Sequence, residues 1–195
     1  MPLISRDDSV LIVVDLQPSF WGQRLDEADA KKAEAAASRA AWLAGAATAL
    51  GIPAVVTEED SEHNGPTAES VLAALTPGTP VFAKPVFGLA GCPDILDAVQ
   101  STGRRTAVLA GFETDVCVTH SAVGLADAGY RVAVAEDAVY SPFGAHAPGL
   151  ARLRDLRVEV LRCKSIYYDW IRTLEEARAF EHEHPGLADP PGFSL

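Results

Sequence analysis

No stretch of this sequence stays apolar over the ~20 residues that a bilayer-spanning helix needs, so no membrane association is expected. Basic residues are scarce: 16 Lys and Arg stand against 27 Asp and Glu, a formal charge of -11. That balance disfavours a nucleic-acid backbone or an anionic membrane surface as partner. Cysteine is sparse as well. Cys92, Cys117 and Cys163 lie far apart, with no CxxC pair, which fits a reducing compartment better than a disulfide framework. The opening MPLISRDDSVLIVVDL lacks the basic region, long apolar segment and small-residue cleavage site of a secretory signal. A soluble, cytoplasmic protein is the expectation. Several motifs are missing too. No GxGxxG follows a strand, and neither GxxxxGK[ST], GxSxG nor HExxH occurs. These absences count against a nicotinamide dehydrogenase, a serine hydrolase and a zinc peptidase. No cofactor and no metal is expected.

What is present is an alternation of short apolar runs and helical segments. The chain has 195 residues and is 48% hydrophobic, ample for one core and short for two, so residues 1–195 are read as one domain. VLIVVDL (Val10–Leu16) reads as a central strand. A long helix is expected over Asp26–Leu50. Strands follow at Ile52–Glu58, Thr79–Pro85, Thr106–Phe112, Arg131–Ala138 and Val158–Cys163. Helices are expected at Pro93–Gln100, Cys117–Ala128, His146–Leu156 and Tyr168–Phe180, with a short one capped by Thr67. Gly129 is placed to end the helix before it. This alternation predicts an α/β fold: three layers, α/β/α, around a six-stranded, mainly parallel sheet. The tail EHEHPGLADPPGFSL (181–195), rich in Pro and Gly, is read as either loose or packed on a neighbouring subunit.

Ligands of such sheets gather beyond the C-terminal ends of the strands. Three strand ends carry chemistry. Cys117 follows TAVLAGF across the polar turn GFETDV, at an expected helix start, where backbone N–H groups favour a thiolate and can receive an oxyanion. A small apolar cysteine packed under the helix fits the same position. Asp15 ends the first apolar run, where an unpaired carboxylate is costly. It fits a general base for the thiol or a carboxylate that caps the following loop. Lys84, between Ala83 and Pro85, fits either a partner that orients Asp15 or a structural ion pair. The residues alone leave each choice open. Glu58, Glu59, Asp60 and His63 cluster after the second strand without metal-ligand spacing, and are read as solvated loop charge. His120 is read as a helix-surface or interface residue. Phe20, Trp21, Phe87 and Phe112 are candidates for an apolar rim around a small substrate.

Taken together, VLIVVDLQPSF, VFAKPVFGLAG and VLAGFETDVCVTHSA resemble the isochorismatase-like cysteine hydrolase superfamily, which includes nicotinamidases and carbamoylsarcosine amidohydrolases. The resemblance runs from about Val10 to Tyr168. It implies the Rossmann-like strand order 3-2-1-4-5-6 and a catalytic triad of Asp15, Lys84 and Cys117. It further implies a cis peptide between Phe112 and Glu113, an oxyanion hole formed by the backbone N–H groups of Glu113 and Cys117, and a supporting role for Asp115. A homodimer or homotetramer acting on a small-molecule substrate is implied as well. True isochorismatases lack the cysteine that this chain retains. Nicotinamidases carry an Asp-x-His cluster where this chain has TEEDSEHNGP. The expected activity is therefore hydrolysis of a C–N bond in a small amide, carbamoyl or ureide compound through a thioester, releasing ammonia or an amine. Two alternatives stand beside it: a flavodoxin-like electron carrier or binding protein without hydrolase activity, and an isochorismatase-type vinyl ether hydrolase.

Overall fold

The computed structural model describes residues 2–22 and 25–195. In chain order the elements are β1 (Ser9–Val14), α1 (Glu27–Ala49), β2 (Ala54–Glu59), two short helices α2 (Ser61–Asn64) and α3 (Glu69–Leu72), and β3 (Val81–Lys84). There follow α4 (Pro93–Ser101), β4 (Thr106–Phe112), a wide turn (Thr114–Val118), α5 (Thr119–Asp127), β5 (Arg131–Tyr140), α6 (His146–Asp155), β6 (Glu159–Leu161), α7 (Cys163–Ile171) and α8 (Leu174–Glu183). The six strands form one sheet in the order β3-β2-β1-β4-β5-β6. Every neighbouring pair is parallel. A flavodoxin-like sheet would run 2-1-3-4-5, so the observed order is not the flavodoxin topology.

The period of two along each strand divides the core into two layers. Leu11 and Val13 of β1, with Val108, Ala110 and Phe112 of β4, face a layer built by α1, α7 and α8. Val10, Ile12 and Val14, with Ala107 and Leu109, face the layer of α4, α5 and α6. All six residues of β1 are buried. Burying a Val, Leu or Ile side chain contributes about 1.5–3 kcal/mol, so the central strands hold both layers together. The charged ends of α1 are set locally: the Asp26 carboxylate accepts the Asp29 N–H at 2.8 Å and caps the helix.

Four expectations need correction. The helix predicted over Tyr168–Phe180 is two helices, because α7 begins earlier, at Cys163, and ends where Arg172 takes a left-handed φ of 69°. The last strand accordingly stops at Leu161, short of Cys163. Thr67 caps no helix. Its N–H and hydroxyl both donate to the buried Glu58 carboxylate, at 2.7 and 2.9 Å, and Ala68 takes the cap position. The helix expected from Cys117 begins at Thr119, preceded by the wide turn that contains Cys117. The tail, for its part, lies on α1 of its own chain. Trp42 donates its indole N–H to Leu187 O at 2.9 Å, and Phe193 meets the Trp42 ring edge-on at 5.1 Å. Among the described residues, no helix is long and apolar enough to cross a membrane.

Gly111 is where the two central strands come closest. It pairs with Val14, has a φ of 126°, and sits beside the irregular register between β4 and β5. A Cβ there would overlap the Val14 carbonyl oxygen, and the backbone conformation is one that L residues avoid. We expect Gly111→Ala to lower unfolding stability by at least about 2 kcal/mol in a urea titration. A loss below about 0.5 kcal/mol would mean that this approach does not constrain the fold.

Candidate active site

The C-terminal ends of β1, β2 and β3 and the turn after β4 each deliver one polar side chain to a common point. At the end of β1 the chain turns left-handed at Asp15, with φ of 48°. The turn is held because Asp15 N–H donates to Thr57 O at 3.0 Å, while Gln17 N–H donates to Asp15 O at 2.8 Å. The Asp15 carboxylate is fully buried. Its Oδ1 accepts the Thr57 hydroxyl at 2.8 Å. Its Oδ2 lies 2.6 Å from the Lys84 ammonium, and neither side chain reaches solvent. Lys84 Nζ also donates to Val86 O at 3.0 Å. A buried carboxylate in this position survives only because it is paired and hydrogen-bonded. Burial still dominates: it raises the Asp15 pKa above the ordinary 3.8, against the opposing pull of Lys84 and of the hydrogen bonds from Lys84, Thr57 and Cys117.

Cys117 arrives from the wide turn after β4. The Phe112–Glu113 peptide is cis. Val116 and Val118 both donate their N–H to Glu113 O, at 3.2 and 3.0 Å. The turn is braced from outside. Ser141 donates its hydroxyl to Asp115 Oδ1 at 2.6 Å, and Thr119 donates to Thr114 O at 2.6 Å. Thr114 Oγ1 and His146 Nδ1 lie 2.9 Å apart. Asp115 thus ties the turn to the end of β5. The Cys117 thiol is buried, and burial, then Asp15, then Glu59 push its pKa well above the usual thiol value. That direction favours a neutral thiol over a thiolate at rest.

The thiol donates to Glu59 Oε2 at 2.9 Å. Ligand-capable atoms of Asp15, Glu59 and Cys117 all lie within 4.8 Å of one another. Glu59 therefore belongs to the site, although the sequence grouped it with solvated loop charge. One signal pointed to it: Glu59 ends β2 in register with Lys84, so the strand-end rule that selected Lys84 selects Glu59 as well. Glu58, one residue earlier, points away to Thr67. Gln17 was also missed. Its amide donates to Glu59 O at 3.0 Å and accepts the Glu59 N–H at 2.8 Å, clamping that residue from both sides. Asp60 and His63 take no part in this cluster: both are exposed, Asp60 at the cap of the short α2 turn and His63 near its end.

The expected aromatic rim divides. Phe20 and Phe87 line a cavity of about 130 Å³ together with Glu59, Glu113, Val116 and Cys117. Phe112 is instead buried in the α1-side core, with Trp21 packed edge-on against it at 5.1 Å. Phe112 points to the opposite face from Leu109 because the strand alternates. Cys163 is buried at the start of α7, with its N–H donating to Asp137. Cys92 precedes α4. Neither joins the cluster. His120 is exposed and meets the Phe87 ring edge-on at 5.9 Å.

Comparison with known proteins agrees with this arrangement. Residues 9–165 match the isochorismatase domain family. "Probable hydrolase YcaC" of Escherichia coli is 29% identical over 138 residues, covering 69% of this chain and 64% of YcaC. "Secreted isochorismatase effector Isc1" of Phytophthora sojae is 31% identical over 137 residues, covering 68% of this chain and 62% of Isc1. The matched stretch thus spans less than two thirds of either relative. Among solved structures, the MAR1 ribonuclease of Caenorhabditis elegans superposes with a TM-score of 0.81 at 23% identity, covering 98% of this chain and 97% of its own. The E. coli YcaC crystal structure, described as an octameric hydrolase of unknown specificity, gives 0.79 at 20% identity over 94% of this chain and 92% of its own. Those structural likenesses speak to the fold. The family match over most of the chain, with a buried acid, lysine and cysteine at its strand ends, makes this chain a member of the isochorismatase-like cysteine hydrolase superfamily.

Proposed function

We propose that this protein hydrolyses a C–N bond in a small amide or carbamoyl compound, with Asp15, Lys84 and Cys117 as its catalytic triad. The observation that carries the reading is the Cys117 thiol held in one buried cluster with the Asp15–Lys84 pair. A neutral thiol is a poor nucleophile, so a base must take its proton as attack proceeds. Asp15 takes that proton and the sulfur forms a bond to the carbonyl carbon. The C=O electron pair moves onto oxygen, which the backbone N–H groups of Glu113 and Cys117 receive. As the tetrahedral intermediate collapses, the C–N bond breaks and Asp15 returns the proton to the departing nitrogen. Ammonia or an amine leaves. Water then gives a proton to Asp15 and attacks the thioester, and the thiolate departs and regains its proton.

Lys84 has two duties in this scheme. It keeps Asp15 ionised against the burial that favours the neutral acid, and it fixes the carboxylate's direction. No step requires a metal or an organic cofactor. Phe20 and Phe87 line the substrate side of the chamber. Assembly as a homodimer or homotetramer belongs to the same proposal, and a monomer in sedimentation velocity would remove that part of it.

Two outcomes test the reading. Cys117→Ala should lose at least about 10³-fold in ammonia release from whichever small amide the wild type turns over; comparable turnover by the variant would end the covalent mechanism. The pH dependence has a definite sign. The active form needs ionised Asp15, so kcat/KM should rise as pH climbs through a midpoint above 3.8. Lys84 pulls that value down, so Lys84→Met should move the acid limb to higher pH while lowering the maximum. An acid limb that stays in place would deny Lys84 its role in holding the charge on Asp15.

A further inference from the structure

We propose that Glu59 makes this site selective for a substrate that carries a positive charge, an ammonium or guanidinium group a few bonds from the scissile amide. The inference rests on Cys117 being the nucleophile and adds the class of compound that it attacks.

The first argument is position. Glu59 Oε2 sits 2.9 Å from Cys117 Sγ, so any group bonded to that sulfur lies against this carboxylate. The second is rigidity. Gln17 clamps the Glu59 backbone on both sides, and Asn64 Nδ2 donates to Glu59 O at 3.0 Å. Neither contact uses the Glu59 carboxylate, whose partner among the described residues is the thiol. Once Asp15 has taken the thiol proton, that carboxylate needs a new partner. Charges that face a ligand from fixed backbone act without reorganising.

Charge balance gives the sign. Lys84 is committed to Asp15 and to Val86 O. Among the described residues lining the inner chamber, Glu59 and Glu113 are acidic and none is basic. A larger cavity of about 540 Å³ shares Glu59 and Phe87 with that chamber and adds Asp60 and Glu62 to its wall, with Lys84 the one basic residue among the described residues that line it. Burial pushes the Glu113 carboxyl upward, and the negative charges of Asp115 and Glu59 add to that push. Attack makes the shortage worse, because a thiolate forms beside the Glu59 carboxylate. A cationic nitrogen on the substrate would neutralise Glu59 and so favour the thiolate at the moment it is needed. The aromatic rings of Phe20 and Phe87 in the chamber wall are compatible with the same charge, whereas an anionic substrate would meet repulsion from Glu59.

Two methanethiosulfonates of similar size test this without relying on turnover: the 2-aminoethyl reagent, which is cationic, and the 2-hydroxyethyl reagent, which is neutral. Labelling rates are followed on the Cys117 peptide by mass spectrometry, each normalised to the rate with free 2-mercaptoethanol. The wild type should favour the cationic reagent, and Glu59→Gln should lower the cationic-to-neutral ratio about tenfold. Glu181→Gln, which removes one charge from the exposed face of α8, should keep the wild-type ratio. Equal ratios in wild type and Glu59→Gln, or an equal fall in Glu181→Gln, overturn the assignment. A parallel ammonia-release assay with glycinamide and acetamide separates the two levels of the account. Retained turnover in Cys117→Ala would defeat the covalent cysteine mechanism on which this inference rests, while a Cys117-dependent activity with no preference for glycinamide defeats only the role of Glu59.

Discussion

The buried ion pair between Asp15 and Lys84 is the constraint from which the site follows. Two charges 2.6 Å apart with no solvent contact are stable only while each has the other; removing one partner of such a pair costs about 3–5 kcal/mol. The pair joins the end of β1 to the end of β3, although β2 lies between them in the sheet. It does so because Asp15 turns left-handed and its carboxylate reaches across Thr57 of β2. Three strands are thereby locked at one level. Everything that faces the resulting hollow inherits that geometry, including Glu59 at the end of β2 and the turn that carries Cys117.

The wide turn answers a different requirement. A regular helix starting at Cys117 would place the thiol by helix geometry alone. The Thr114–Val118 turn instead loops out, with Val118 donating back across five residues to Glu113 O. Its bracing by Ser141, Thr119 and His146 keeps the thiol at hydrogen-bond distance from Glu59 and within reach of Asp15. Rigid support behind a reactive group is what an oriented attack needs. The high thiol pKa fits this picture. A cysteine surrounded by Asp15 and Glu59 is not a standing thiolate, and its activation has to be coupled to proton transfer.

Much of this was legible in the sequence because strand ends in a parallel sheet converge regardless of their spacing in the chain. Asp15, Lys84 and Cys117 each ended or followed an apolar run, and that pattern alone brought them to one edge of the sheet. Glu59 escaped because TEED reads as a polar loop when β2 is ended one residue early; only the register with Lys84 puts Glu59 on the site and Glu58 on Thr67. Trp21 and Phe112 show the converse. Both sit beside site residues in sequence, yet strand alternation sends Phe112 into the α1-side core and Trp21 follows it. The break at Arg172 left no proline or glycine to mark it, and Thr67 resembled a cap because its true partner, Glu58, lies nine residues back near the end of β2. Local pattern specifies elements well, and contacts between distant elements decide which face a side chain serves.

The central claim is that a carbonyl carbon becomes bonded to Cys117 during turnover. Mixing the protein with a hydrolysed small amide, quenching in acid within the first turnovers and weighing the tryptic peptide that contains Cys117 tests it directly. The account predicts a fraction of that peptide heavier by the acyl group, lost on treatment with neutral hydroxylamine. Turnover that proceeds at full rate with the Cys117 peptide unmodified at every quench time, and with alkylated Cys117 still active, would contradict it.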